Sequence, residues 1–275
     1  MSLGVEIAQL ESVPDALAQG RVAVLRGMDL HVEDQVAFTA DLGTLIGDDE
    51  GLPQVRYEDD RTARADHTFY NEKWHADVSW SVEGPAITVL YGLEVGPAVA
   101  STAIVDTVSA FARLTESERY SVRSWRACHH VARSRAERYV PPAEPRGLGL
   151  DRQAPSPVWR PARAREGVRQ PTYVPEPGAV RPVVVTHPGT GREGMTLGDH
   201  AWTVVGRSDA EGLRLVDRLQ QRLVELGDHY VHEWHEGDLL VFDNRTMLHR
   251  REPGARRASR RVLRRTVAWP DLASG

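Results

Sequence analysis

Hydrophobic and polar positions fall into two periods along the chain. Arg21-Val22-Ala23-Val24-Leu25 is short, apolar and strand-like, and Ser12-Val13-Pro14-Asp15 before it offers a helix N-cap with proline in the first turn. Residues Val32 to Leu42 carry the spacing of an amphipathic helix closed by Gly43. Residues 84–95, GPAITVLYGLEV, are rich in β-formers and run into Gly96-Pro97, which predicts a strand. Two capping boxes announce helices. One is Thr115-x-x-Glu118; the other, Ser208-x-x-Glu211, precedes an apolar stripe of Leu213, Val216, Leu219, Leu223 and Leu226. The apolar runs Leu239 to Phe242, after Glu236-Gly237-Asp238, and Val262 to Trp269 read as further strands. From Arg133 to Pro182 arginine and proline dominate, no period lasts, and the expectation is a lid or insertion. With no βαβ series and no glycine-rich nucleotide loop, the pattern predicts a mainly β scaffold with flanking helices, as one domain over 1–275.

Composition narrows the class without naming it. The 275 residues suit one large domain, and 41% hydrophobic with 27% charged residues supports a sizeable core. A net charge of -5 gives no general attraction to nucleic acid or to an anionic membrane. Cys128 is the single cysteine, so no internal disulfide forms and a reducing compartment is expected. As a nucleophile it is a poor candidate, because free cysteines are mostly small buried hydrophobes. The first twenty residues lack a signal-peptide pattern and no apolar run is long enough to span a bilayer, so a cytoplasmic protein is expected.

The candidate chemistry starts at Trp74-His75-Ala76-Asp77-Val78-Ser79-Trp80. In a strand, residues i and i+2 share a face, so His75 and Asp77 would project into one space. Alone, such a pair is most simply a histidine hydrogen-bonded to a nearby carboxylate. Downstream, Asp243-Asn244-Arg245-Thr246-Met247-Leu248-His249 follows an apolar strand and adds a third group. Two histidines and one carboxylate are the ligand set of non-haem Fe(II) with open coordination positions, and zinc hydrolases use the same set. The zinc signature His-Glu-x-x-His is absent: His232-Glu233-Trp234-His235 has the wrong spacing and reads as strand surface. The adjacent His129-His130 would diverge in a strand or a helix, which argues against a second metal site. Trp74, Trp80, Trp202 and Trp269 are pocket candidates, each more simply core.

An arginine ladder closes the chain. With period 2, Arg261, Leu263, Arg265, Val267 and Trp269 share one face, and Arg260, Val262, Arg264, Thr266 and Ala268 the other. The ladder is either a solvated basic edge strand or a pair of inward guanidinium forks for carboxylates.

Taken together, these segments resemble the taurine dioxygenase family of Fe(II)- and 2-oxoglutarate-dependent oxygenases over most of the chain. The resemblance rests on Asn71 to Ser79, Leu90 to Val95 leading to Ser101-Thr102, Arg181 to Arg192, Asp243-Asn244-Arg245 through His249, and Arg261 through Thr266, in the family's order. It implies a double-stranded β-helix, a cupin-like jelly-roll core, with helices outside. It implies Fe(II) held by His75, Asp77 and His249, with 2-oxoglutarate as co-substrate held by Thr102 and, at its C5 carboxylate, by Arg261. O2 is the oxidant. Arg265 matches an arginine that grips a substrate anion, and Asn71 a position near the substrate.

The implied reaction hydroxylates an unactivated C–H bond of a small anionic substrate, such as an amino acid or a natural-product intermediate, and releases succinate and CO2. Desaturation or cyclisation on the same scaffold is an alternative outcome, and a carboxylate at Asp77 argues against a halogenase. From another class, a zinc hydrolase or a non-catalytic jelly-roll binding protein would use the same three residues differently. Family members are often dimers or tetramers, and no motif here fixes a homo-oligomer. The segment Gly194 to Trp202 and the block Arg133 to Pro182 depart from the family pattern where substrate is enclosed, so taurine itself is not expected.

Overall fold

Alternation in the apolar runs produces two sheets that share a core. The computed structural model describes residues 2–48, 52–59, 70–138, 167–252 and 259–270. The main sheet holds β1 (Gly4–Glu6), β2 (Val22–Leu25), β3 (Gly43–Ile46), β4 (Arg56–Asp59), β5 (Ile87–Val95), β8 (Val168–Arg169), β14 (Leu239–Asp243) and β16 (Arg261–Pro270). Its order is β1-β2-β14-β5-β16-β3-β8, with β4 also paired to β16. Facing it is a three-stranded sheet in which β6 (Thr102–Asp106) lies between β13 (Asp228–His232) and β15 (Met247–Arg251). The mainly β fold with a jelly-roll core is therefore as expected.

Side-chain parity decides what fills each layer. Between the sheets, Val22, Val24, Leu90, Leu240, Phe242 and Leu263 pack against Ile104 and Met247. On the outer face of the main sheet, Ala23, Leu25, Ile87, Val89, Leu239 and Val241 pack against α1 (Val13–Ala18) and α2 (Val32–Asp41) through Val13, Leu17 and Phe38. On the outer face of the small sheet, Ala103, Val105 and Leu248 meet α3 (Thr107–Arg113) and α6 (Asp209–Leu226). The central strands β2, β6 and β14 thus bury both faces, which is why these runs are apolar at nearly every position.

Several local expectations are corrected. Thr115 and Glu118 form a full capping box on α4 (Glu116–Arg123), but Ser208 makes no side-chain cap to α6. Glu211, its intended partner, is taken by Arg207 at 3.2 Å. Both flanks of the arginine- and proline-rich block are regular: α5 (Val131–Arg138) on one side, and β8 and β9 (Ala179–Pro182) on the other. Residues 139–166, the centre of the expected lid, lie outside the described residues. β9 pairs with β7 (Arg126–His129), which also pairs with β12 (Ala201–Val204), and this places Cys128 in a buried strand.

His129, on β7, makes acid sensitivity a testable property. Its ring is fully buried and neither nitrogen is hydrogen-bonded to another described residue. Burial, then Arg181, His200 and Arg138, pushes its pKa down to about 3. The folded ring stays neutral while the unfolded ring takes a proton below its ordinary value of 6.5. Between pH 6.5 and 3 the unfolded state binds more protons at this site, so stability falls as pH falls. The expected slope from this residue is about 1.4 kcal/mol per pH unit within that window. Denaturant midpoints of wild type and His129→Leu across pH 7 to 4 check this, the variant losing stability less steeply.

Candidate metal centre and its two cavities

His75 and His249 are brought together by backbone pairing. The His75 N–H donates to the His249 carbonyl at 3.0 Å and the His249 N–H donates back at 2.9 Å, an isolated bridge joining β15 to the segment before β5. The strand expected over 74–80 is reduced to that bridge, and residues 77–80 form a turn. His75 and Asp77 still converge, because Val78 turns the chain at a φ of 61°, a left-handed conformation that a β-branched residue seldom adopts. Gly198 passes close behind: a Cβ there would sit 3.1 Å from the His75 Cα. Its φ of 114° strains any residue but glycine, and an added Cβ would press on both His75 and Leu248.

The three side chains are all buried, and one donor atom from each lies within 4.8 Å of the others. His75 Nδ1 lies 2.7 Å from the Lys73 carbonyl, so Nδ1 carries the proton and Nε2 is left as a lone-pair donor. His249 Nε2 lies 3.8 Å from Asp77 Oδ2, too far for a hydrogen bond and suited to two ligands of one ion. Burial, reinforced by His75, keeps the His249 pKa well below its ordinary value, which leaves the ring neutral.

Asp77 is held in place from three sides. Thr88, on the inward face of β5, donates to Oδ2 at 2.7 Å, and Arg265 Nη1 reaches Oδ1 and Oδ2 at 2.9 and 3.1 Å. Asn244 accepts the Asp77 N–H at 3.1 Å while donating to Thr88 at 2.9 Å. Burial alone would raise the carboxyl pKa; Arg265, then the two histidines and Thr88, hold it far below the usual carboxylate range. The donor set, with one ionised carboxylate and two imidazoles at a common point, fits a divalent metal. It is the only such group among the described residues.

Two cavities meet at this centre. A narrow one is lined by His75 and His249 together with Thr102, Arg261, Asn71, Leu90 and Arg251. Arg261 is 2% exposed and its Nη1 donates to the Ala100 carbonyl at 2.9 Å. The Thr102 hydroxyl accepts from Trp234 Nε1 at 3.0 Å. The second cavity, of about 550 Å³, is lined by His75 and Asp77 on one wall and by Arg56, Trp80, Tyr173 and Arg265 among others. Asn71 borders both.

The period-2 reading of β16 matches this arrangement: Arg261 and Arg265 point inward, while Arg264 points outward to Gln35 on α2 at 2.6 Å. Arg265, expected to face a substrate anion, is bonded to Asp77. His232 and Trp234 are buried, which corrects the surface reading; His232 lies 3.2 Å from Asp238, and Trp234 packs edge-on against His232. Of the four tryptophans, Trp80 lines the large cavity and Trp74, Trp202 and Trp269 are buried. Sequence reasoning missed Thr88, Asn244, Trp234 and Arg56. Only Thr88 carried a signal, since it shares the parity of inward-facing Leu90.

Comparison with known proteins adds a second line of evidence. The family model described as "Taurine catabolism dioxygenase TauD, TfdA family" matches residues 5–267. The chain is 28% identical to an alpha-ketoglutarate-dependent 2,4-dichlorophenoxyacetate dioxygenase of Burkholderia sp. (strain RASC), over 94% of this chain and 85% of the relative. It is also 28% identical to an (S)-phenoxypropionate/alpha-ketoglutarate-dioxygenase of Delftia acidovorans, over 91% of this chain and 85% of the relative. Among solved structures, AAD-2 in complex with Mn(II) and N-oxalylglycine superposes with a TM-score of 0.71 at 20% identity, covering 98% of this chain and 95% of that one. That last likeness shows the shared fold.

Proposed function

The chain belongs to the TauD, TfdA family of dioxygenases, and from that premise we propose that it hydroxylates an unactivated C–H bond of a small carboxylate-bearing substrate. It is an alpha-ketoglutarate-dependent dioxygenase, of a family that uses Fe(II), 2-oxoglutarate and O2. The zinc-hydrolase and non-catalytic readings therefore fall away. The single observation that carries the proposal is the meeting of two cavities at one metal-ligand triad, a narrow one lined by Thr102 and Arg261 and a larger one of about 550 Å³. Both relatives named above act, by their names, on aryloxy carboxylates.

In this reading His75, Asp77 and His249 hold the iron. Bound iron and 2-oxoglutarate supply O2 activation coupled to oxidative decarboxylation, with succinate and CO2 as products. The chain's residues position and exclude. Arg261 receives the distal C5 carboxylate of 2-oxoglutarate as a charge-assisted pair. Thr102 spends an oxygen lone pair on Trp234, which leaves its hydroxyl proton for a carboxylate oxygen. Thr88 and Arg265 fix the orientation of Asp77. Asn71, on the border between the cavities, orients the substrate. Residues 1–275 act as one domain.

Trp234→Phe keeps the packing and removes one donor. The expected result is a rise of about fivefold in KM for 2-oxoglutarate, near the value of one neutral hydrogen bond, with metal affinity unchanged. A double-mutant cycle with Thr102→Val checks it, because the Trp234 effect should vanish once the hydroxyl is gone.

The reaction itself is tested by succinate release with Fe(II), 2-oxoglutarate and O2 across carboxylates, amino acids and sulfonates. Carboxylate-dependent succinate release, with one oxygen atom added to the product by mass, is expected. Succinate release with an unoxidised or dehydrogenated product contradicts hydroxylation.

A further inference from the structure

Among the described residues, the large cavity contains one guanidinium that no hydrogen bond or ion pair engages, with Asp77 and Glu58 acting on it only at longer range. Arg135 is paired with Asp199 at 2.9 Å, and Arg265 with Asp77. Arg56 lines the same cavity and has no hydrogen bond or ion pair with any described residue. The register places it directly opposite Arg265 in the antiparallel β4–β16 pair. Directly opposed residues share a face of the sheet with Cβ atoms about 5 Å apart, and like charges there are destabilising. Glu58 approaches Arg265 Nε only to 3.6 Å.

The two arginines are not equivalent. Arg265 spends Nη1 on both oxygens of Asp77, the residue a divalent ion would take as a ligand. Arg56 is exposed to the cavity and keeps its whole fork of donors free. Burial among cavity walls, and then Arg265, lowers its pKa, a cost that a bound anion would relieve. The same cavity is also lined by aromatic rings: Trp80 and Tyr173 lie 6.3 Å apart between ring centroids, and Tyr70 adds a third ring. A cationic fork and aromatic faces in one cavity suit an acid with an apolar body.

We propose that Arg56, rather than Arg265, is the residue that receives the substrate's carboxylate, and that it sets the preference for an aryl-bearing organic monoanion. Arg265 then serves as a positioning residue for Asp77. The assignment rests on the dioxygenase reading above, and deepens it by naming the group that selects the substrate.

The test measures binding, not turnover. Protein loaded with Mn(II) and N-oxalylglycine is titrated calorimetrically with 2,4-dichlorophenoxyacetate, its neutral amide, and hexyl sulfate. Wild type should bind the carboxylate at least about tenfold tighter than the amide. Arg56→Gln should weaken the carboxylate by at least about tenfold and leave the amide unchanged, with Arg56→Lys between. Retained affinity for N-oxalylglycine in both variants shows an intact fold and co-substrate site. Equal carboxylate binding by Arg56→Gln and wild type, no preference over the amide, or no carboxylate binding by loaded wild type would each overturn the assignment. Tighter binding of hexyl sulfate than of the carboxylate overturns the carboxylate class. Failure of N-oxalylglycine to bind the Mn(II)-loaded wild type strikes the dioxygenase reading itself, and this assignment with it.

Discussion

Asp77→Ala should lose divalent metal binding and stability together. The substitution removes one of three protein ligands, so Mn(II) affinity should fall by more than the 10- to 100-fold typical of outer contacts to a metal site. It also strands Arg265, which is mostly buried (15% exposed) and paired with Asp77 against the cost of burial. Breaking a buried pair from one side costs about 3–5 kcal/mol. The double variant Asp77→Ala with Arg265→Met removes both charges and should recover much of that stability without recovering metal. Calorimetric metal titration and thermal melts of the two proteins separate the effects. Full stability in the single variant would mean that Arg265 finds another partner, and that the Asp77 pair is not what fixes the centre.

Arg261→Gln carries the second large effect. The guanidinium is buried and lines the narrow cavity together with Thr102 and the two histidines, and in the proposed reading it receives the second acid group of 2-oxoglutarate. Loss of a charge-assisted pair of this kind costs about 1.5–3 kcal/mol, which corresponds to a 10- to 100-fold higher Kd for 2-oxoglutarate. The sharper readout is discrimination. Wild type should prefer 2-oxoglutarate over 2-oxopentanoate, which lacks the C5 carboxylate, and the variant should bind the two alike. A variant that still prefers the dicarboxylate would remove Arg261 from this role.

Much of the site could be read before the fold was known, for definite reasons. His75, Asp77 and His249 are legible because metal ligation demands particular residue types, and the apolar run Leu239 to Phe242 delivers the third at a recognisable place. That Arg261 and Arg265 share a face follows from the strand period alone, while only the fold turns that face toward the cavities. What Arg265 touches does not follow, because its bond to Asp77 joins residues 188 positions apart. Arg56 was invisible for the same reason: only the register of β4 against β16 sets it opposite Arg265. Local patterns failed where a competing local partner existed. Ser208 makes no capping bond, and Glu211 pairs with Arg207 instead. His232 and Trp234 looked like surface in a polar stretch, yet in the interior His232 Nδ1 meets the Tyr230 hydroxyl at 3.1 Å and Trp234 donates to Thr102. The regular flanks of the arginine-rich block were hidden because short β8 and β9 borrow their stability from neighbouring strands.

The central claim is that one triad holds Fe(II) in a form that 2-oxoglutarate can chelate. An anaerobic titration of the wild-type protein with Fe(II) and then 2-oxoglutarate tests it most directly. The account predicts a weak visible absorption band that appears only after the keto acid is added, saturates at one equivalent, and is lost in His75→Ala. No band with intact, iron-loaded protein, or a band unaffected by His75→Ala, would contradict it.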